Sequence, residues 1–500
     1  MFSLVLQLIA IYALSKFLRR VVQKRFNPSV LDNLRGPAPS SFLTGCMEQL
    51  HDKNTGWEYH REIAAKFGGV MKIKGLFGDQ SIYEQHPQFI SFSRLAFGEG
   101  LLGVLGDQHR KQRKMLNPVF SNAHMRDMVP MFYDVTRKLQ QLIAKKFENK
   151  RQEVDLASFM TRAALELIGQ AGIGHSFDTL EENEPTHPYA KAAVGLIPSA
   201  YRMRFVTPFA APLVRKYGNP KFCRFIMDLL PYKALHDCRD IVDVMDRTAR
   251  EIYLQKKQAL ADGNEALITK IGQGKDIMSI LMRANMTASA DDSLSETQHT
   301  NVQERLRHEI VEATEQSGGK DVPYDTLVHL PYLDAICRET LRIHSPFSVA
   351  RRIAVQDVIL PLSNPVQGVD GSEITEIPVP KDTEILISLV SSNINPEVWG
   401  PDANEWKPER WLSHLPESVK NAQIPGIYSH LMTFIGGGRS CIGFKFSQLE
   451  MKVVICSLVQ SFRFSPSEHD IIWHMNAVAS PTIKGNDSLV PVLPIVMERI

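Results

Sequence analysis

Thr433 to Lys452 read TFIGGGRSCIGFKFSQLEMK, a glycine-rich turn that delivers one cysteine, Cys441, to the start of an amphipathic helix carrying Phe444, Phe446, Leu449, Val453 and Val454. First-turn N–H groups and the positive end of a helix dipole favour negative charge, so a thiol placed there is biased towards thiolate. Such a group is a good anionic ligand for a soft or oxidisable metal. The bland alternative is a buried structural cysteine in a glycine-rich turn.

The spacing Phe434-x-x-Gly437-x-Arg439-x-Cys441-x-Gly443 is narrower than a merely reactive cysteine requires. Glycines on both sides let a flat cofactor come close to the backbone, and Arg439 can pair with a carboxylate. Haem is flat, carries two propionates and accepts an axial cysteine thiolate. On these residues the chain resembles the cytochrome P-450 superfamily, and looks like a fungal, microsomal-type member. The resemblance implies a mainly α fold with a small β-rich region, and haem b with Cys441 as axial iron ligand.

Composition sets wider limits. Five hundred residues with 44% hydrophobic content can bury a sizeable core, and no linker, repeat or low-complexity run divides the interior. One large catalytic domain is the simplest expectation. Lys+Arg 57 against Asp+Glu 55 gives a net charge of +2, which points to no nucleic-acid partner. The six cysteines are scattered without a CxxC pair, which fits a reducing compartment.

The chain opens with MFSLVLQLIAIYALSKFL, followed at once by Arg19, Arg20, Lys24 and Arg25. The run is short for a span, with Lys16 placed to snorkel, but no basic residue precedes it and no A-x-A site closes it, so a retained anchor is favoured over a signal peptide. Basic residues on its C-terminal side would hold the remainder in the cytosol. RGPAPSSFLTG (Arg35 to Gly45) is a stiff connector, and family members bound to the endoplasmic reticulum membrane carry a hinge at this place. The expected limits are 1–25 for a single N-terminal anchor, 26–45 for the hinge and 46–500 for a cytosolic catalytic domain.

VMKIKGLF from Val70 reads as a strand. The family places a further strand and a helix before the next landmark, and the interval from Ser81 to Phe97 reads as too short for both. That landmark, FGEGLLGVLGDQHRKQRKMLNPVF, combines helical apolar spacing with His109, Arg110, Lys111, Arg113 and Lys114. The family's W-x-x-x-R helix bonds a haem propionate; here His109 stands for the tryptophan, and Arg113 is kept. A solvated basic face is the competing reading, and Arg110, Lys111 and Lys114 would suit an acidic electron donor. Met125 to Gly174 reads as two helices, and Ile241 to Leu260 as another.

After DIMSILMRAN (Asp276 to Asn285) the resemblance implies a long helix whose threonine and acid deliver protons during oxygen activation. The chain instead reads MTASADDSLSETQHTNVQERLRHEI, and Leu294 is the one sizeable apolar side chain from Thr287 to Asn301. A helix crossing a domain of ~30 Å needs about 20 residues with an apolar face. A block is therefore expected to be missing near 296–302, with a smaller deletion near 81.

Val302 to Gln316 resumes a helical pattern ending at Gly318 and Gly319. Glu339-x-x-Arg342 places an acid and a base on one helix face, and PERW supplies Arg410. The family packs these three as a buried lock behind the haem. Arg351 or Arg352 would meet the second propionate. The reaction implied is insertion of one oxygen atom from O2 into an apolar small molecule, with electrons from NADPH through a flavoprotein reductase and membrane lipid as a further partner. The competing reading is a catalytically impaired haem protein, or a splice-defective form.

Overall fold

In the computed structural model the described residues are 15, 30–41, 45–50, 52, 54–73, 83–85, 87–146, 151–181, 187–203, 220–261, 302–422, 424–475, 478–486 and 490–500. The principal helices in chain order are α1 (Gly56–Phe67), α2 (Pro87–Phe97), α3 (Gly106–Leu116), α4 (Asn122–Ala144), α5 (Leu156–Ile168), α6 (Pro188–Arg202), α7 (Pro220–Leu229), α8 (Lys233–Ala261), α9 (Val302–Gln316), α10 (Pro331–Ile343) and α11 (Phe444–Ser461). The strands are β1 (Tyr83–Gln85), β2 (Gln152–Asp155), β3 (Val349–Ala354), β4 (Val358–Gln367), β5 (Glu373–Val379), β6 (Glu384–Ser388), β7 (Phe462–Pro466), β8 (Ile471–His474), β9 (Ser480–Ile483) and β10 (Pro494–Arg499). The molecule is mainly α with small antiparallel sheets, as the resemblance implies.

Two compact units emerge, residues 1–87 with 349–391, and 88–348 with 392–500, a grouping that the expected domain limits do not mark. The first unit holds the sheet β1-β3-β6 and the hairpin β4-β5. Its apolar residues cluster around Leu31, Ala354, Ile377 and Val379, and around Cys46, Leu50 and Ile63. The second unit holds β2-β10-β7 and β8-β9 beside the helices.

The core of the second unit is built on α4 and α11. Met125, Phe132, Leu139 and Ile143 recur on one face of α4, and Leu449, Val453 and Cys456 on the facing side of α11; all are buried. Phe132 meets Phe446 edge-on with ring centroids 5.2 Å apart. Gln140 donates to Ser457 O, and Ser457 to Thr136 Oγ1, so the same two helices are also registered by polar bonds.

The helix carrying Glu339 is held at its start by other elements. Pro331 sits at the first position of α10, where its missing N–H costs nothing. Glu309 of α9 accepts the Tyr332 and Leu333 N–H groups at 2.7 and 2.9 Å, satisfying donors that a helix leaves open. Lys452 of α11, fully buried, donates to Val328 O and Asp334 Oδ1, both at 2.6 Å. Helices α9, α10 and α11 are thereby tied into one body.

Several expectations change. Residues 70–73 form no strand, and 74–80 lie outside the described residues. The interval to Phe97 holds both a strand and a helix, β1 and α2, because β1 needs only three residues to pair with β3. The reading of that interval as too short is therefore corrected. The expected anchor at 1–25 lies, but for Ser15, outside the described residues, as does the polar run 287–301. No helix among the described residues is long and apolar enough to cross a membrane. Helix α9 occupies Val302–Gln316, and Gly318 and Gly319 follow with φ of 70° and 71°, the left-handed geometry of a helix stop.

Truncating Phe132 to Ala removes a ring from a buried contact of α4 with α11. The expected cost is about 3–5 kcal/mol, read as a fall in the urea midpoint of unfolding.

Candidate functional site

Cys441 sits in a loop that the backbone has few ways to form. Gly437 has φ of 69°, and a Cβ on Gly436 would lie 1.8 Å from Pro425 O, so neither position accepts a side chain without rebuilding. Ile435, at φ of 57° and ψ of 179°, is a β-branched residue in a region almost reserved for glycine. The loop is closed by Cys441 N donating to Phe434 O at 2.9 Å and Ser440 N to Gly437 O at 3.1 Å. Phe434 is wedged between Tyr428 and Phe444, with centroids 5.8 and 6.2 Å away.

Among the described cysteines Cys441 is exposed, whereas Cys46, Cys238, Cys337 and Cys456 are buried. The protein ringing its sulfur still dominates the thiol: burial raises it above its ordinary range, against the Gly443 N–H and the Arg113 charge. The expected bias towards free thiolate is corrected on this point. Helix α11 begins only at Phe444, with Gly443 as its cap, so Cys441 precedes the first turn and receives little from the dipole. Coordination to a metal would deprotonate the thiol regardless.

Three cationic or donor side chains stand around the loop. Arg439 Nη2 donates to Val104 O at 2.8 Å. Arg113 of α3 donates through Nη1 to Ser440 O at 2.6 Å and through Nη2 to Ser440 Oγ at 2.9 Å. His109, one turn earlier, is buried, and burial followed by the charges of Arg439 and Arg113 holds its imidazole towards the neutral form. A Cβ added to Gly443 would meet only Phe120 Cε1, at 3.8 Å, and one on Gly438 would meet nothing within 4 Å. An open thiol, uncrowded glycines and clustered positive charge fit a flat dianionic macrocycle that needs one axial sulfur.

Glu339, Arg342 and Arg410 are brought together. Arg342 grips Glu339 with Nε–Oε2 at 2.8 Å and Nη2–Oε1 at 2.7 Å, and both side chains are fully buried. Arg410 Nε reaches Glu339 Oε1 at 3.4 Å, the Lys407 N–H donates to that oxygen at 3.0 Å, and Trp411 Nε1 donates to Oε2 at 2.9 Å. The arginines spend their remaining N–H groups on Asn393 O, Ala403 O, Glu405 O, Trp399 O and Asp402. Burial alone would raise the Glu339 carboxyl, but Arg342, Lys407 N and Trp411 hold it below the usual range. Bonds from Arg410 and Lys407 hold Asp402 down at about 2.

The arginine doublet is separated by strand alternation. On β3, Arg351 and Arg352 point to opposite faces. Arg351 is paired with Glu384 across the β3-β6 ladder. Arg352 is buried, with Nη1 donating to Gln85 Oε1 at 3.3 Å and Arg351 O at 3.0 Å, and burial lowers its pKa.

Sequence reading missed Trp411, Asp402 and Lys407 as members of the Glu339 cluster, and Ser440 as the acceptor of Arg113. It also missed Asn393, fully buried, which donates to Thr433 Oγ1 and accepts Met432 N–H, both at 2.8 Å, while Thr433 Oγ1 donates to Leu341 O. Trp411 stands beside Arg410 and could have been suspected; nothing at sequence level marks Asn393.

Comparison with known proteins places a chain of this mainly α fold in a family. The family model "Cytochrome P450" matches residues 73–485, and the chain belongs to that family of monooxygenases. It is 44% identical to "Cytochrome P450 monooxygenase 91" of Postia placenta, with 99% of each chain covered. It is 40% identical to "Cytochrome P450 monooxygenase 212" of the same fungus, covering 96% of each chain. It is likewise 40% identical to "Ganoderic acid synthetase CYP5150L8" of Ganoderma lucidum, over 91% of this chain and 92% of that one. The first alignment runs to 543 positions against 500 residues here, so at least 43 of its positions face no residue of this chain.

Replacing Glu339 by Gln leaves the fully buried Arg342 without its anion and is expected to cost about 3–5 kcal/mol, read by chemical denaturation. The pH dependence follows from the depressed carboxyls. A carboxyl lowered in the folded state contributes stability that is present above its unfolded pKa of about 4 and is lost as pH falls through the folded value. The melting temperature is expected to drop between about pH 4 and pH 2, and Asp402→Asn, which deletes the titration held near 2, to show a shallower drop.

Proposed function

We propose that this chain is a haem-thiolate monooxygenase whose axial ligand is Cys441, acting on an apolar small molecule with electrons passed from NADPH by a flavoprotein reductase at the endoplasmic reticulum membrane. The carrying observation is the Cys441 loop: an open thiol on a glycine-bounded turn beside Arg113, Arg439 and His109. Bound haem supplies the activation of O2. The chain's residues bind and orient it. Cys441 offers the sulfur, Gly437 and Gly443 leave its approach uncrowded, and Phe434 packs the loop against the core.

The relative named as a ganoderic acid synthetase is compatible with oxidation of a small organic molecule.

A second reading has its own support. The polar run from Thr287 to Asn301 and the alignment positions that face no residue favour a form lacking the oxygen-activating helix, which would bind haem yet turn over poorly. Residues after Val302 supply Glu339, Arg342, Arg410 and Cys441 in sequence, so the ligand side can assemble without that block.

The chain is expressed as written, reduced and exposed to carbon monoxide. A strongly red-shifted Soret band, absent in Cys441→Ala, supports thiolate ligation. No haem uptake, or a band lacking the thiolate shift, overturns it. Transcripts that carry an in-frame insert of about 30 residues before Val302 would restore the helix and full turnover.

A further inference from the structure

The resemblance reserves Arg113 for a haem propionate, yet in the structure two of its donors are engaged by one residue of the ligand loop. Nη1 donates to Ser440 O at 2.6 Å and Nη2 to Ser440 Oγ at 2.9 Å. Ser440 is 7% exposed and immediately precedes Cys441. A guanidinium gripping two acceptors on one residue is fixed in rotation as well as distance, which a single bond does not achieve. Any residue at 440 supplies the carbonyl. An apolar side chain supplies no second acceptor, so the grip here depends on the serine hydroxyl.

The consequence for the loop is mechanical. Ser440 N closes the turn onto Gly437 O, and Cys441 N closes onto Phe434 O, so a clamp on Ser440 holds the segment between those two bonds. The clamp joins α3 to a segment more than 300 residues later.

We propose that the Ser440 hydroxyl is a positioning group: together with the Ser440 carbonyl it locks Arg113 across the ligand loop, fixing the turn that presents Cys441.

The full-length chain is compared as wild type, Ser440→Ala, Ser440→Thr, Arg113→Lys and the Ser440→Ala/Arg113→Lys double variant. Hydrogen exchange of the peptide spanning 433–444 is read first, since it needs no haem. Ser440→Ala is expected to speed exchange of the 437–441 amides about fivefold, the factor of one ordinary hydrogen bond, with Ser440→Thr restoring protection. Adding Ser440→Ala to Arg113→Lys is expected to add little, because the two act as one unit. Wild-type exchange in Ser440→Ala, or independent effects that sum in the double variant, overturns the clamp. In haem-loaded protein Ser440→Ala is expected to enlarge the non-thiolate Soret component, with Ser440→Thr reversing it, and an unchanged spectrum overturns the positioning of Cys441. A chain that takes up no haem counts against Cys441 ligation alone, and the exchange cycle still decides the clamp.

Discussion

One buried carboxylate organises the ligand side of this molecule. Glu339 is fully buried and accepts from Arg342, Arg410, Trp411 and the Lys407 main chain. A charge in that position is costly unless its lone pairs are filled, and filling them draws residues 402–411 onto α10. Arg342 then uses its other donors on Asn393 O, Ala403 O and Glu405 O, so irregular backbone that no helix or strand satisfies is paired from within the cluster. Trp399 and Trp411, with centroids 5.6 Å apart, seal it from water.

From that centre, order passes to Cys441 in steps that can be followed bond by bond. Asn393, whose own carbonyl Arg342 holds, fixes Met432 and Thr433, and Thr433 returns to Leu341 of α10. Two residues on, Ile435 takes a backbone geometry that a β-branched residue rarely accepts, followed by glycines that alone tolerate the path. Strain of about 1–3 kcal/mol at such a residue persists only where the surroundings over-determine it. Here they do: Asn393 and Thr433 pin one side of the turn, and Arg113 on Ser440 pins the other.

What was legible in the sequence follows from what is local. The order of Phe434, Gly437, Arg439, Cys441 and Gly443 is a short-range pattern, and the 3.6-residue spacing of α4, α9 and α11 is visible in their apolar residues. The interval before Phe97 was misread because a three-residue edge strand carries almost no alternation of its own and exists by pairing with β3, over 260 residues later. The thiol was misread because its state depends on where the helix begins and on how much protein surrounds the sulfur. The doublet Arg351/Arg352 needed only the register of β3 to be divided, and Ser440 needed the approach of α3. Long-range hydrogen bonds of this kind leave no periodic trace in the chain.

The separation of ligand side from the rest of the chain bears on what a missing block would do. Glu339, Arg342, Arg410, Asn393, Thr433 and Cys441 all lie after Val302, and α9, α10 and α11 are fastened to one another by Glu309, Lys452 and Asp334. The earlier elements that reach them, α3 and α4, enter through Arg113 on Ser440 and through the Phe132–Phe446 contact, both encoded well before Asp276. None of these bonds uses residues 276–301. A chain shortened there keeps every described interaction that shapes the cysteine loop, while any proton-delivering side chain on the lost block goes with it. On the proposed reading, holding the cofactor and using it in turnover therefore fall to different stretches of this sequence, and damage to the second need not abolish the first.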